Sequence, residues 1–217
     1  RLQNKFGTKK FIVYFQSFTN TYAPIATLKA LYEKALSFEN VIGLSIGTRT
    51  DCVTDEILDY LVDLSKDKEI LIEFGIQSFY DETLVNINRG DTADNMRYWI
   101  KRSKEKGLNV CGHLIYGLPK ETQEMMLETF RQTVELKVDS IKFHPLYVVK
   151  NTLLTNEFKK GRFTPISEEL YIDTVVKSIK NLPENISIQR ITAGINDSTL
   201  LSPDWCRDKH TQMKNIR

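Results

Sequence analysis

Two charged side chains fall inside runs that otherwise read as packed strands: Glu73 between Ile72 and Phe74, and Lys142 between Ile141 and Phe143. A charge in mid-strand must be paired or solvated, so the face carrying it borders water, a partner charge or a ligand. Strand side chains alternate between faces. That places Leu71, Gly75 and Gln77 with Glu73, His144 with Lys142, and Cys111, His113, Ile115 and Gly117 together in the run near residue 110. His113 and His144 suit hydrogen-bonded core imidazoles or, with Glu73, a His and carboxylate metal site. Arg49 beside Asp51 is either a local ion pair or a fork for a ligand carboxylate. Gln77 either stitches loops or touches substrate. Gly117-Leu118-Pro119 reads as a turn where backbone can approach a ligand; it lacks the spacing of a phosphate loop. Cys52, Cys111 and Cys206 show no metal-binding spacing, and their odd, low number points to a reducing, cytoplasmic setting. Cys111 reads as buried filler rather than as a nucleophile.

Five apolar runs, near residues 11, 41, 70, 110 and 141, must position these groups. Each has one apolar face and one polar or small face, whereas a filled barrel would carry branched aliphatics there. A lined cavity is the implication. Helical periodicity fills the gaps, over about 24–37, from Thr54 onward, 81–87, 93–106, 121–136 and 167–181, and a last strand is expected over 186–191. Thr54 and Ser167 are capping residues, and Gly107 is a stop. Alternating strands and helices define right-handed βαβ units on a parallel sheet. Five units and an appended strand fall short of a closed eightfold barrel, so an open partial barrel is expected, with a doubly wound sheet as the rival. The 217 residues suit one structural domain, with a core over 1–150 and a packed extension over 151–217.

A net charge of +2 is too small to mark a nucleic-acid binder. The basic tail of Arg207, Lys209, His210, Lys214 and Arg217 reads as a solvated helix face, or as a surface for an acidic partner or RNA. No apolar run approaches the roughly 20 residues of a membrane span, and no signal-peptide pattern opens the chain.

Five strings carry a resemblance: Phe15-Gln16-Ser17-Phe18-Thr19-Asn20-Thr21-Tyr22, Gly47-Thr48-Arg49-Thr50-Asp51, Glu73-Phe74-Gly75-Ile76-Gln77-Ser78, Asn88-Arg89-Gly90 and His113-Leu114-Ile115-Tyr116-Gly117-Leu118-Pro119. Together they resemble the radical S-adenosylmethionine superfamily. The match is nearest a bacterial family of unassigned reaction related to the Elongator catalytic subunit, with oxygen-independent coproporphyrinogen oxidases further off. The resemblance implies a six-stranded partial (β/α)6 TIM-like barrel holding S-adenosylmethionine beside a [4Fe–4S] cluster. It implies reductive cleavage to a 5′-deoxyadenosyl radical, with electrons from a flavodoxin or ferredoxin. By position it assigns Gln16 to the methionyl end, Gln77 and Ser78 to the ribose, and Ile115, Gly117, Tyr147 and Val148 to adenine. Arg49, Glu73 and His113 join these as cofactor-facing groups. Here Tyr14-Phe15-Gln16 replaces the commoner Gly-Gly-Glu, and relatives often carry Pro at the position of Thr50 and Gly at that of Lys120.

The superfamily holds its cluster with a CxxxCxxC loop after the first strand, because thiolates anchor such clusters. The first run here matches the family's second strand, so the first strand and the cluster loop are expected upstream of Arg1, and the supplied chain is expected to be inactive by itself. A post-core segment with Arg190, Asp197 and Trp205 is expected to cap the cavity mouth. Two other readings stand beside the radical enzyme: a metal-dependent hydrolase or lyase using Glu73, His113 and His144, and a binding module without catalysis. RNA is a conceivable substrate through the Elongator kinship alone.

Overall fold

Each expected strand forms in the structure, a computed structural model that describes residues 7–216. The strands are β1 (Phe11–Phe15), β2 (Val41–Thr48), β3 (Glu69–Gln77), β4 (Asn109–Tyr116), β5 (Ser140–Pro145), a short β6 (Val148–Val149), β7 (Ser187–Arg190) and β8 (Leu200–Ser202). The helices are α1 (Ile25–Leu36), α2 (Asp55–Ser65), α3 (Asp81–Asn86), α4 (Ala93–Glu105), α5 (Gln123–Glu135), α6 (Leu153–Lys159), α7 (Glu168–Lys180) and α8 (Lys209–Ile216). Six strands form one sheet in the order β1-β2-β3-β4-β5-β7, while β6 and β8 pair separately and antiparallel. Arg1 and Arg217, which figured in the expectations above, lie outside the described residues. The chain divides into two compact units: residues up to Gly75 with Asp94–Cys111, and Ile76–Ala93 with Gly112 onward.

In the first unit the expected faces separate. Leu44, Ile46, Ile72 and Phe74 are completely buried, each adding roughly 1.5–3 kcal/mol of apolar burial. Phe15 packs edge-on against Tyr32 of α1, ring centroids 5.3 Å apart. The opposite face of β1 stays open: Ile12 is 51% exposed and Tyr14 37%. A doubly wound sheet covers both faces with helices, so this uncovered face counts against that rival. Thr54 caps α2 by accepting from the Ile57 amide at 3.3 Å. Gly107, at φ 85°, ends α4 as expected. Arg102 and Lys106 of that helix's C-terminal end bridge to Asp55 of α2 at 2.8 and 3.3 Å. These exposed ion pairs align helices more than they stabilise them.

In the second unit an aromatic core forms where α5 and α7 meet the strands. Tyr116, Phe143, Phe130 and Tyr171 lie in a chain of ring contacts of 5.4–6.2 Å. Ser167 caps α7 by accepting from the Leu170 amide at 3.2 Å. Asp81 opens α3 as expected, and its carboxylate also accepts from the Ala93 amide at 2.8 Å, fixing the start of α4. Lys120 has φ 68°, a conformation that favours glycine. Neither α6 nor the β6–β8 ribbon was expected. Strands of two and three residues are too short for alternation to register.

Candidate functional site

Within the first unit, the inner face is organised around Glu73. Its side chain is 1% exposed. The Tyr14 hydroxyl donates to one carboxylate oxygen at 2.9 Å, and the Ser45 hydroxyl donates to the other. The strand register explains this: Tyr14 pairs with Ser45 across β1 and β2, and Gly47 pairs with Glu73 across β2 and β3. Cys111, buried and unoxidised on β4, has its sulfur within 4.8 Å of the Glu73 carboxylate. Two neighbours of Glu73, Tyr14 and Ser45, were not foreseen. Their signal was present, since Tyr14 shares Gln16's side of β1 and Ser45 sits on the polar side of β2.

Around these groups the strand-end loops are tied down. Asn20 holds the Gly47 carbonyl through its backbone amide at 3.2 Å and its side-chain amide at 2.8 Å. The Thr21 hydroxyl reaches Thr48 Oγ1 at 2.5 Å and the Cys52 carbonyl at 2.6 Å. Gln16 is exposed at the end of β1. Arg49 grips Asp51 at two points, Nε to Oδ1 at 2.7 Å and Nη2 to Oδ2 at 2.5 Å. The fork that a ligand carboxylate would use is therefore engaged by Asp51.

In the second unit Gln77 is half-buried at φ 68°. Ser78 is fully buried; its hydroxyl donates to Glu121 at 2.5 Å and accepts from the Tyr80 amide at 3.1 Å. Burial raises the Glu121 carboxyl above its usual range, with hydrogen bonds from Ser78 and Thr83 opposing. Gly117 has φ 90°, and an added Cβ would lie 2.7 Å from Ile166. The turn and its packing thus account for the glycine before any ligand is considered. Ile115 and His113 are half-buried on β4, Tyr147 is half-buried, and Val148 is completely buried in the ribbon. Trp205 donates its indole N–H to the Ile166 carbonyl at 3.2 Å, and Asp197 is exposed.

His144 shows the strongest electrostatic signature. Burial pushes its pKa down to about 4; a hydrogen bond with the Pro145 carbonyl opposes this, and the charges of Arg190 and His113 add to the fall. A carbonyl can only accept, so the 2.7 Å contact at Nδ1 places the proton there and leaves Nε2 unprotonated. As the pH drops, the unfolded chain, with its ordinary value near 6.5, takes up the proton first. Stability is therefore full above about pH 6.5 and is lost as the pH falls toward 4, by about 2 kcal/mol at pH 5. His144→Asn keeps a donor for Pro145 and removes the titration. The melting-temperature difference between pH 7 and pH 5 should narrow by roughly 4–8 °C; an unchanged difference would assign the acid loss to other groups.

These features define a parallel α/β sheet whose strand ends and one face carry a polar set built around a buried carboxylate. The Radical SAM superfamily model matches residues 1–133, and the Radical_SAM C-terminal domain model matches 138–217. The chain belongs to the Radical SAM superfamily. It is 39% identical over 210 residues to protein YhcC of Escherichia coli (strain K12), covering 96% of this chain and 68% of that one. Among solved structures, Methanocaldococcus infernus Elp3 with an N-terminal deletion superposes with a TM-score of 0.80 at 21% identity, over 99% of this chain and 57% of its own. Coproporphyrinogen III oxidase (HemN) from Escherichia coli gives 0.60 at 21% identity, over 78% and 39%. The fold is therefore the partial-barrel α/β fold of these proteins, as the motif strings implied. Among the described residues no helix is long and apolar enough to cross a membrane.

The superfamily's two cofactors fit these residues unequally. A buried carboxylate, hydroxyls and glycine backbone suit a cationic, amphiphilic nucleoside such as S-adenosylmethionine. Two of the three cysteines do not suit an iron–sulfur cluster. Cys111 and Cys206 are completely buried, and burial pushes the Cys206 thiol up to about 12, the reverse of the thiolate state that ligation needs.

Proposed function

We propose that this chain is the S-adenosylmethionine-binding core of a radical enzyme whose cluster ligands lie outside it. Glu73 carries this conclusion. A carboxylate held by two hydroxyls among aliphatic neighbours is preorganised negative charge, which suits the sulfonium of the cofactor. Gln16 would meet the methionyl end, Gln77 and Ser78 the ribose, and Ile115, Gly117, Tyr147 and Val148 the adenine, with His113 beside them and Arg49, its fork held by Asp51, reaching the cofactor through backbone. Where the side chain is already engaged, as in Ser78 and Val148, the contact would come from backbone. When bound with its cluster, the cofactor supplies a 5′-deoxyadenosyl radical for hydrogen abstraction. The electron donor would be a flavodoxin or ferredoxin. Relatives named as tRNA uridine(34) acetyltransferases, 28% identical in Methanocaldococcus jannaschii, raise RNA as a substrate, but a net charge of +2 gives that no support.

The experiment is anaerobic reconstitution of the full-length protein with iron and sulfide, followed by reduction and assay for 5′-deoxyadenosine. Release of that nucleoside supports the proposal; a reconstituted cluster that releases none defeats it. A charge test is sharper. Glu73→Gln should weaken S-adenosylmethionine binding about tenfold, or about 1.4 kcal/mol, while leaving the uncharged thioether S-adenosylhomocysteine within twofold. Equal losses for both ligands in calorimetric titration would make Glu73 a structural group only.

A further inference from the structure

The loop that leaves β3 is bent sharply at Gln77. The Ser78 amide donates to the Ile76 carbonyl at 2.9 Å across Gln77, whose φ is 68°. A three-residue turn closed at positive φ is the rare and strained form, and a glycine would adopt it freely. The chain sets a glutamine there instead. Gln77 is half-buried, and its side-chain amide makes no hydrogen bond to another described residue. Strain of this kind persists only where the surroundings over-determine the backbone, and it gathers where ligands are held.

Glu121 supplies that constraint. It stands in the turn after β4, where its amide donates to the Leu118 carbonyl at 3.1 Å. Its carboxylate accepts from the Ser78 hydroxyl at 2.5 Å, and the same hydroxyl accepts from the Tyr80 amide at 3.1 Å. Thr83, buried on α3, donates a second hydrogen bond to the carboxylate. The Phe79 amide donates to Thr129 Oγ1 of α5 at 3.3 Å. Residues 78–80 are thus pinned between α5 and the turn after β4, and Gln77 takes up the bend. Its free amide offers one donor and one acceptor side by side, which matches a vicinal diol; a carboxylate or phosphate would use only the donor half. We propose that Glu121 is a positioning residue for a nucleoside: through Ser78 it sets the bend at Gln77, so that the Gln77 side-chain amide meets the ribose hydroxyls. That the ligand is a nucleoside rests on the S-adenosylmethionine reading.

The test uses the full-length protein and calorimetric titration with adenosine and with 2′,3′-dideoxyadenosine, which lacks both ribose hydroxyls. The parent should favour adenosine about tenfold, the worth of a well-made hydrogen bond. Gln77→Ala, Glu121→Ala and Ser78→Ala should each bring that ratio below about twofold, with dideoxyadenosine affinity itself changed by less than about twofold. Ser78→Ala breaks the bond from its other end, so the test survives a Glu121 variant that fails to fold. Glu121→Gln keeps an acceptor for Ser78 and should retain most of the preference. Adding Glu121→Ala to Gln77→Ala should change nothing further, because both act through one contact. A parent without preference overturns the proposal, as does an equal loss of both nucleosides in Glu121→Ala and Ser78→Ala, the sign of a structural role alone. A further loss in the double variant, or a Glu121→Gln as impaired as Glu121→Ala, overturns it too. If the ratio follows the expected pattern but no 5′-deoxyadenosine is released, the positioning role stands and the radical reading falls. If 5′-deoxyadenosine is released while the ratio ignores these substitutions, the reverse holds.

Discussion

Gly43→Ala lowers the melting temperature by roughly 10 °C. A Cβ at this position would lie 2.0 Å from the Glu69 carbonyl oxygen and 2.6 Å from the Glu69 Cβ. Gly43 and Glu69 are register partners across β2 and β3, so the obstacle is mostly backbone and cannot rotate away. Relief means parting the two strands by more than an ångström, which breaks the ladder hydrogen bonds beside the pair. At about 1 kcal/mol for each bond lost, with overpacking of 1–3 kcal/mol, the cost is about 4 kcal/mol. Gly47→Ala on the same strand is the control: its nearest obstacle, the Phe15 carbonyl oxygen, lies 3.2 Å away, and the cost should stay near 1 kcal/mol. Thermal unfolding of the two variants decides the matter. A Gly43→Ala protein melting within 2 °C of the parent would mean that β2 and β3 do not pair in this register.

The same glycine shows what alternation can and cannot read. Period two groups Gly43 with Ser45 and Gly47 as small residues on a polar face. Ser45 does face Glu73, but the register of β1 on β2 slips beside Gly43, as Ile12 pairs with Gly43 directly after Phe11 pairs with Val41. A bulge of this kind needs close backbone approach, so Gly43 answers to its neighbour strand and not to a cavity. Periodicity finds the faces of β3 and β5 because each strand carries a charge among aliphatics, Glu73 and Lys142. It does not find which side chains meet, because pairing depends on register. That is why Glu73 was legible as a charge that must be paired or solvated while its bonds to Tyr14 and Ser45 were not. His144 was legible as either a satisfied imidazole or a ligand, and the Pro145 carbonyl, its own chain neighbour, supplies the bond. Arg190 stood out in sequence only as part of a capping segment. Its register partner, Lys142, became visible once β7 was placed beside β5.

Tyr171→Ala should cost about 3–5 kcal/mol, the usual range for emptying a large aromatic site. Its side chain is completely buried, in ring contact with Tyr116 at 6.2 Å and Trp205 at 5.4 Å. Burial raises its hydroxyl pKa far above the usual value, so the group stays a neutral donor to the Ile191 carbonyl. Tyr171→Phe separates these contributions. It retains the packing and removes one hydrogen bond, for about 1–2 kcal/mol including the acceptor left buried. The two variants also differ in what they do to the end of β7. Loss of the hydroxyl alone unfastens Ile191, the residue after Arg190, so hydrogen exchange over residues 190–192 should speed up in Tyr171→Phe while the α5 and α7 amides stay protected. Unchanged exchange at those residues would mean that the tyrosine packs the core without fastening the end of β7.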